Sequence, residues 1–316
     1  MFRKIFSKKN RLFYLASESK FIPDFFISIF LLIIGFTGVF PYVLQSVLRY
    51  IFKLNVRGLK NGDLIFSLEN LIIPLGLTTL SIFIWVVLVE RRNIGSLGFE
   101  KEQWIKKYLR GFLIGIFMLS ICSIIYVFLG AVEYDEIAAG GGKVLWGVLI
   151  LLLGWIIQGA AEEIMTRGWL MQVIGVRYNM PLGIIISSTI FGAMHLFNPG
   201  VSKLSLVNLV LFGVFAALYA IWEEGLWGIC ALHSAWNWAQ GNIFGFKVSG
   251  AEPAGGTLLA FRTTGSDIIT GGAFGPEGGL VVSLILTIGI LVLAILISKR
   301  DYDEGMDELM KENSKY

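Results

Sequence analysis

The chain has 316 residues, of which 55% are hydrophobic and only 16% are charged. Soluble domains carry about 25% charged residues, so this composition excludes an ordinary soluble protein and indicates a polytopic membrane protein. The net charge is a modest +3, and no nucleic-acid-binding motif is present, so no nucleic acid is expected as a partner. The two cysteines, Cys122 and Cys230, lie in apolar runs and fit packing better than a disulfide or a structural metal site.

Long apolar runs predict an all-α transmembrane helix bundle. About 20 apolar residues cross the hydrocarbon core, and about eight such runs lie near 25–48, 70–89, 110–130, 145–174, 182–198, 204–222, 225–243 and 280–298. We expect a transmembrane domain over 25–298, flanked by a basic cytoplasmic tail at 1–24 and a charged cytoplasmic tail at 299–316. No removable signal peptide is recognised, so the first span is expected to remain as an anchor.

The distribution of Lys and Arg predicts the orientation of the bundle. Basic residues concentrate in the N-terminal tail, the second connection and the C-terminal tail, whereas the third connection is acidic at 133–136. Positive residues favour the cytoplasmic side, so both ends are predicted to be cytoplasmic. The first connection disagrees, because it falls on the outer side and is also basic, with Arg49, Lys53, Arg57 and Lys60.

The fourth predicted span carries two adjacent acids, Glu162 and Glu163, within an apolar run from Leu145 to about Ile174. A charged side chain at that depth costs roughly 2.5–3.5 kcal/mol to insert, so buried acids need partners and mark a functional site. Glu163 and Arg167 are spaced i, i+4 and can pair on one helix face. Glu162 points about 100° away around the helix, which suggests Glu162 as the working acid and Glu163 as the structural one. The alternative is that both acids only hold helices together.

The chain's two histidines, His195 and His233, lie in two other apolar runs at a similar depth. Phe191 precedes His195 by four residues and could pack against its imidazole, and Asn237 follows His233 by four and projects from the same face. Either histidine alone could be an interhelical hydrogen-bond donor. Together with the glutamates, they predict one shared site.

Other polar residues near the ends of the spans are weaker candidates. They are Asn198, Asn208, Glu223, Glu224 and Asn242. Glu223 and Glu224 fall between two predicted spans, where a solvated face accounts for them.

A carboxylate, two imidazoles and a carboxamide suit the hydrolysis of an amide bond. A glutamate can act as general base on a water, and a histidine can orient that water. The second histidine and Asn237 can donate hydrogen bonds to the tetrahedral oxyanion. Glu162, His195 and His233 could instead hold a catalytic zinc ion, although the chain lacks the HExxH motif. The residues leave both mechanisms open.

Three motifs occur in order on successive predicted helices: Glu-Glu-x-x-x-Arg, Phe-x-x-x-His and His-x-x-x-Asn. They resemble the motifs of the CAAX prenyl endopeptidase and bacteriocin-processing (CPBP, or ABI) family of intramembrane proteases. The matching positions form a motif core over about 145–240 and are Glu162, Glu163, Arg167, Phe191, His195, His233 and Asn237.

The resemblance implies a membrane-embedded endopeptidase whose substrate is a membrane peptide or protein. It implies that Glu162 and His195 activate water, that His233 and Asn237 stabilise the oxyanion, and that Glu163, Arg167 and Phe191 support them. The family is commonly called a metalloprotease family, although a metal-free glutamate mechanism has been argued for it. The single-chain multi-pass design fits a bacterial plasma membrane.

The glycine-rich connection leaves two interpretations open. The glycine-rich connection at 241–279 argues against a helix and fits either a flexible extracytoplasmic loop or a lid that contacts the substrate.

The chain could also be a non-catalytic membrane protein for bacteriocin self-immunity or peptide binding, or a proton-coupled transporter that uses Glu162 and the histidines as a relay. The complete set of motifs favours the enzyme, because a binding protein would tolerate loss of the base.

Overall fold

The computed structural model describes residues 10–52, 64–135, 141–252 and 254–300. Helices account for 75% of the structure, which confirms the predicted all-α helix bundle. Parts of both charged tails, at 1–9 and 301–316, lie outside the described residues. So do Glu136 and the basic residues Lys53, Arg57 and Lys60 of the first connection.

The described residues form twelve α-helices in chain order: α1 (Arg11–Ser17), α2 (Phe25–Phe30), α3 (Phe40–Phe52), α4 (Leu64–Trp85), α5 (Trp104–Phe128), α6 (Gly141–Glu163), α7 (Met171–Arg177), α8 (Met180–Ala193), α9 (Lys203–Glu223), α10 (Trp227–Trp238), α11 (Asp267–Thr270) and α12 (Leu280–Ser298). π-helical segments continue some of them, at Leu31–Val39, Val86–Glu90, Ile164–Leu170 and Ala239–Ile243. Short 3₁₀ turns lie at Ile94–Leu97, Gly272–Phe274 and Pro276–Gly278. Strands β1 (Val132–Tyr134) and β2 (Phe261–Thr263) pair antiparallel, with Glu133 opposite Arg262.

Six helical segments of the described chain are long and apolar enough to cross a membrane. They are Phe25–Leu48, Ile72–Glu90, Trp104–Phe128, Val144–Arg177, Lys203–Glu223 and Leu280–Ser298. The other two predicted spans form shorter helices, α8 with 14 residues and α10 with 12. The chain is therefore a multi-pass membrane protein.

Helix α10 lies at the centre of the bundle and packs against both α5 and α6. Every residue from Gly228 to Asn237 is buried, including the polar residues His233, Ser234 and Asn237. The contacts depend on glycines: a Cβ added at Gly111 of α5 would lie 1.9 Å from the carbonyl oxygen of Gly228, and one at Gly159 of α6 would lie 2.5 Å from Ser234 Oγ. Small residues let membrane helices approach at backbone distance, and here they bring α10 against α6.

The segment Val144–Arg177 has 34 residues, including the π-helical stretch Ile164–Leu170 that begins directly after Glu163. At about 1.5 Å per residue it is longer than the roughly 30 Å hydrocarbon core, as the sequence predicts for this span. Each residue of the π-helical stretch is buried. Such stretches inside α-helices frequently mark functional sites.

Helix α8 ends earlier than the predicted span 182–198. It begins after the N-cap Asn179, whose side chain accepts a hydrogen bond from the backbone N–H of Leu182, and it ends at Ala193. Turns follow, in which the backbone N–H of His195 donates to Gly192 O and that of Leu196 donates to Ala193 O. Gly200, with φ +72°, lies further along the chain. His195 was expected well inside a span but lies in the turn just beyond the helix.

The close contact between α5 and α10 generates a stability prediction. We expect Gly111→Ala to lower the melting temperature in mild detergent, because overpacking costs about 1–3 kcal/mol and Gly228 presents backbone that cannot rotate away. The control is Gly76→Ala in α4, where an added Cβ meets nothing within 4 Å. That substitution should be neutral or stabilising, since alanine favours helix by up to about 1 kcal/mol. Equal melting temperatures for the two variants would contradict the close packing.

Candidate active site

A buried ion pair lies at the centre of the site. Arg167 Nη1 is 3.0 Å from Glu163 Oε1, and both side chains are completely buried. The guanidinium carbon lies 4.6 Å from the ring centroid of Phe191, within the range of a cation–π contact. The structure thus contains the i, i+4 pair that the sequence suggests, and it adds Phe191 of α8 as a third member.

Glu163 also binds His233 on α10. His233 Nδ1 lies 2.8 Å from Glu163 Oε1, the same oxygen that Arg167 contacts. An ionised carboxylate only accepts hydrogen bonds, so Nδ1 carries the hydrogen and the imidazole is fixed in orientation. Its other nitrogen, Nε2, faces Glu162 at 3.8 Å from Oε2. Phe212 packs edge-on against the ring, with centroids 4.9 Å apart.

Glu162 is linked to Asn237 through a residue that the sequence interpretation missed. Gln158 Nε2 donates to Glu162 Oε1 at 2.7 Å, and Asn237 Nδ2 donates to Gln158 Oε1 at 2.8 Å. Glu162 therefore has a partner on its own helix face, because Gln158 lies four residues earlier on the same helix. The signal was a polar residue at that spacing within an apolar run. The second oxygen, Glu162 Oε2, is buried and has no hydrogen-bond partner.

His195 is half-buried and hydrogen-bonded to its own helix end. Its Nδ1 lies 2.8 Å from the carbonyl oxygen of Phe191. Because a carbonyl only accepts, Nδ1 carries the hydrogen, and a neutral ring keeps Nε2 as an acceptor. Phe191 packs against the imidazole with ring centroids 5.0 Å apart, as the spacing suggests.

The site side chains described above line one pocket. Glu162, His195, His233 and Asn237 all line it, together with Gln158, Phe191, Asn208, Leu209, Phe212, Trp236, Ser249, Glu277, Val282 and Leu286. Its volume is about 30 Å³, which is enough room for at least one water molecule. The four side chains predicted to be catalytic therefore converge on one small pocket that can hold water.

The glycine-rich connection closes the pocket. Glu277 accepts hydrogen bonds from Ser249 N at 2.6 Å, Ser249 Oγ at 3.0 Å and Gln240 Nε2 at 3.1 Å. Asn198 Nδ2 donates to Ser249 O at 2.9 Å, which ties the loop to the turn that carries His195. Burial raises the pKa of Glu277, and its hydrogen-bond donors partly offset that effect. These contacts favour a lid over a loose loop.

Ser249 and Glu277 were not among the predicted site residues. Ser249 adopts φ +49°, a left-handed conformation that is uncommon for residues other than glycine. Sequence spacing could not bring either residue to the site, because both belong to a loop whose path depends on long-range hydrogen bonds.

The weaker candidates have structural partners. Asn208 lines the pocket, but its amide donates to the carbonyls of Glu277 and Gly279 and so anchors the loop. Asn242 likewise donates to the carbonyls of Ala254 and Gly256.

The expected solvated face at Glu223 is wrong. Its carboxylate is buried, lies 2.5 Å from Arg110 Nη2 and accepts a hydrogen bond from the backbone N–H of Gly228. Glu224 pairs with Arg300 at 2.9 Å. Both acids lie outside the pocket lining and connect α9 to its neighbours.

Zinc binding by Glu162, His195 and His233 stays a prediction. Zinc ligand atoms lie about 2.0–2.2 Å from the metal, yet no group of three or more His, Cys, Asp or Glu side chains in the described part of the chain could hold an ion. Each histidine uses Nδ1 within the protein, His233 toward Glu163 and His195 toward a backbone carbonyl. Metal-ligating histidines usually donate one ring nitrogen in this way and bind through the other, so these hydrogen bonds do not argue against a metal.

Fold and site together define a multi-pass membrane protein with a polar pocket inside its helix bundle. Residues 144–239 match the family model described as type II CAAX prenyl endopeptidase Rce1-like, which confirms the resemblance drawn from the three motifs. The matched range contains every motif residue, and it ends before Ser249 and Glu277. No curated protein and no solved structure matched the chain.

Breaking the central pair should destabilise the fold. We expect Arg167→Ala and Glu163→Gln each to lower the free energy of unfolding by about 3–5 kcal/mol, because each leaves a buried group uncompensated. The control is Arg262→Ala, which removes an exposed Arg–Glu pair of similar length, 2.9 Å to Glu133. That change should cost no more than about 1 kcal/mol. Melting curves in detergent measure the three variants, and a shift for Arg167→Ala no larger than the control's would contradict the structural role.

Proposed function

We propose that the protein is a membrane-embedded endopeptidase of the CAAX-protease type that hydrolyses a peptide bond close to the membrane. The observation that carries this proposal is the convergence of Glu162, His195, His233 and Asn237, from three separate parts of the chain, on one small pocket that can hold water. Amide hydrolysis requires a base, a water and hydrogen-bond donors for the oxyanion at one point. Glu162 can supply the base, and His233 and Asn237 can supply the donors.

Glu162 acts as the general base. Its Oε1 is held by Gln158, whereas Oε2 has no partner and is available to a water. As the water oxygen attacks the carbonyl carbon, Oε2 takes the proton. The same proton then passes to the nitrogen of the leaving amine, so the carboxylate is restored at the end of the reaction. His195 accepts a hydrogen bond from the water at Nε2 and orients it.

His233 and Asn237 stabilise the oxyanion. The attacking oxygen and the carbonyl oxygen share one carbon, so the base and the donors must face a common point. His233 Nε2 lies 3.8 Å from Glu162 Oε2, which meets that requirement. Asn237 uses one N–H on Gln158 and keeps the second for the oxyanion.

The donor role of His233 requires protons on both ring nitrogens, since Nδ1 already donates to Glu163. Charge balance favours that state. Glu162, Glu163 and Arg167 together carry one net negative charge in a buried cluster, and a cationic imidazole brings the sum to zero. Buried charges are tolerated when they are paired in this way.

We also propose that the protein resides in a bacterial plasma membrane with both ends in the cytoplasm. The excess of Lys and Arg in the tails and in the second connection supports this orientation.

Removing the base should abolish cleavage without unfolding the protein. We expect Glu162→Gln to lower turnover of a fluorogenic membrane peptide by about 10²–10⁴-fold at an unchanged melting temperature. Glu252→Gln is the control, since this acid lies in the glycine-rich loop, pairs with Lys247 and is 75% exposed. If the protein only binds peptides, the wild type would show no cleavage and Glu162→Gln would keep the affinity for the peptide. A proton-coupled transporter would lose uptake in proteoliposomes, so either result would replace the peptidase assignment.

The oxyanion role can be separated from a metal role. We expect His233→Ala and Asn237→Ala each to lower kcat by about 10²–10³-fold, because each removes one donor. Elemental analysis of the purified proteins should give the same metal content in both variants as in wild type. Stoichiometric zinc that is lost in His233→Ala, with turnover restored by added zinc after chelation, would assign His233 as a ligand instead.

A further inference from the structure

Gln158 joins two groups to which the proposed mechanism gives different roles. Its side-chain amide lies between Glu162, at 2.7 Å, and Asn237, at 2.8 Å. Gln158 is buried and itself lines the pocket. We propose that Gln158 is a positioning residue that sets the geometry of the general base and of one oxyanion donor at the same time. This inference rests on the proposed peptidase function.

The direction of the hydrogen bonds follows from chemistry. The Glu162 carboxylate can only accept, so the NH₂ group of Gln158 must face it. The carbonyl oxygen of Gln158 then points the other way and can only accept, so Asn237 must present its NH₂ group. Gln158 thereby fixes the orientation of the Asn237 amide. Without it, either the NH₂ group or the oxygen of Asn237 could point in this direction.

That orientation has two consequences for the reaction. Glu162 has Oε1 occupied, so its unpartnered Oε2 is the oxygen left for a water. Asn237 keeps its second N–H on the NH₂ group that Gln158 holds in place. If Asn237 flipped, its oxygen would take the place of this donor and would repel the oxyanion.

Gln158 is held firmly enough to act this way. The next residue, Gly159, lies against Ser234 of α10, where an added Cβ would come within 2.7 Å of the Ser234 backbone nitrogen. Helices α6 and α10 are thus locked at the level of the Gln158–Asn237 bond. Positioning of reacting groups is sensitive to such details, because a displacement of about 1 Å can cost about 10²-fold in rate.

The test compares two buried glutamines in the same long helical segment. Gln158→Met removes both hydrogen bonds at similar side-chain length. Gln172→Met is the matched control, since Gln172 accepts from Arg92 at 2.9 Å and donates to Leu97 O at 3.1 Å but does not line the pocket. We expect Gln158→Met to lower kcat by about 10²-fold with KM unchanged, and Gln172→Met to keep the wild-type kcat in its folded fraction.

A double-mutant cycle makes the test specific. If Gln158 acts through Asn237, the kcat losses of Gln158→Met and Asn237→Ala should not multiply in the double variant, because residues that act as a unit are not additive. The inference would be overturned if the fold-loss of kcat in the double variant equalled the product of the two single losses. Equal kcat losses in Gln158→Met and Gln172→Met would also overturn it. If Gln158→Met keeps the wild-type kcat, the positioning role of Gln158 is wrong but the proposed peptidase function stands. If the wild-type protein shows no cleavage, both are wrong.

Discussion

The site depends on one carboxylate oxygen. Glu163 Oε1 contacts both Arg167 on its own helix and His233 on α10, and Arg167 in turn lies against Phe191 of α8. Three segments that are separate in sequence are therefore fixed in rotation and depth by a single acid. Arg167 still has buried nitrogens without partners, Nε and Nη2. Buried pairs are weak evidence for net stability, so we interpret this pair as setting the register of the helices.

Sequence reasoning succeeded where helix geometry alone determines a contact. The Glu163–Arg167 pair and the packing of Phe191 on His195 both follow from i, i+4 spacing. The divergence of Glu162 from Glu163 follows from the angle between successive residues. Gln158 obeys the same rule and could have been found, since it lies four residues before Glu162. The convergence of α6, α8 and α10 could only be inferred from shared depth and from family resemblance, because periodicity contains no information about which helices are neighbours.

The remaining errors concern a helix end, a π-helical stretch, the long connection and one buried acid. An apolar run such as 182–198 does not show where the helix stops, and α8 ends at Ala193 in turns that carry His195. The π-helical stretch after Glu163 is also invisible to a 3.6-residue pattern. Glu277 and Ser249 reach the pocket through hydrogen bonds between residues far apart in sequence, which no local pattern encodes. Glu223 was misassigned because a carboxylate between two spans can be buried when an arginine on another helix pairs with it.

The small pocket volume has a kinetic consequence. The pocket is small, so the proposed peptidase cycle requires that the Ser249–Glu277 contacts separate to admit a peptide and then re-form. Such gating steps commonly occur in microseconds to milliseconds and often limit turnover. The frequency of these openings would then set an upper bound on throughput, whatever the reactivity of the carboxylate.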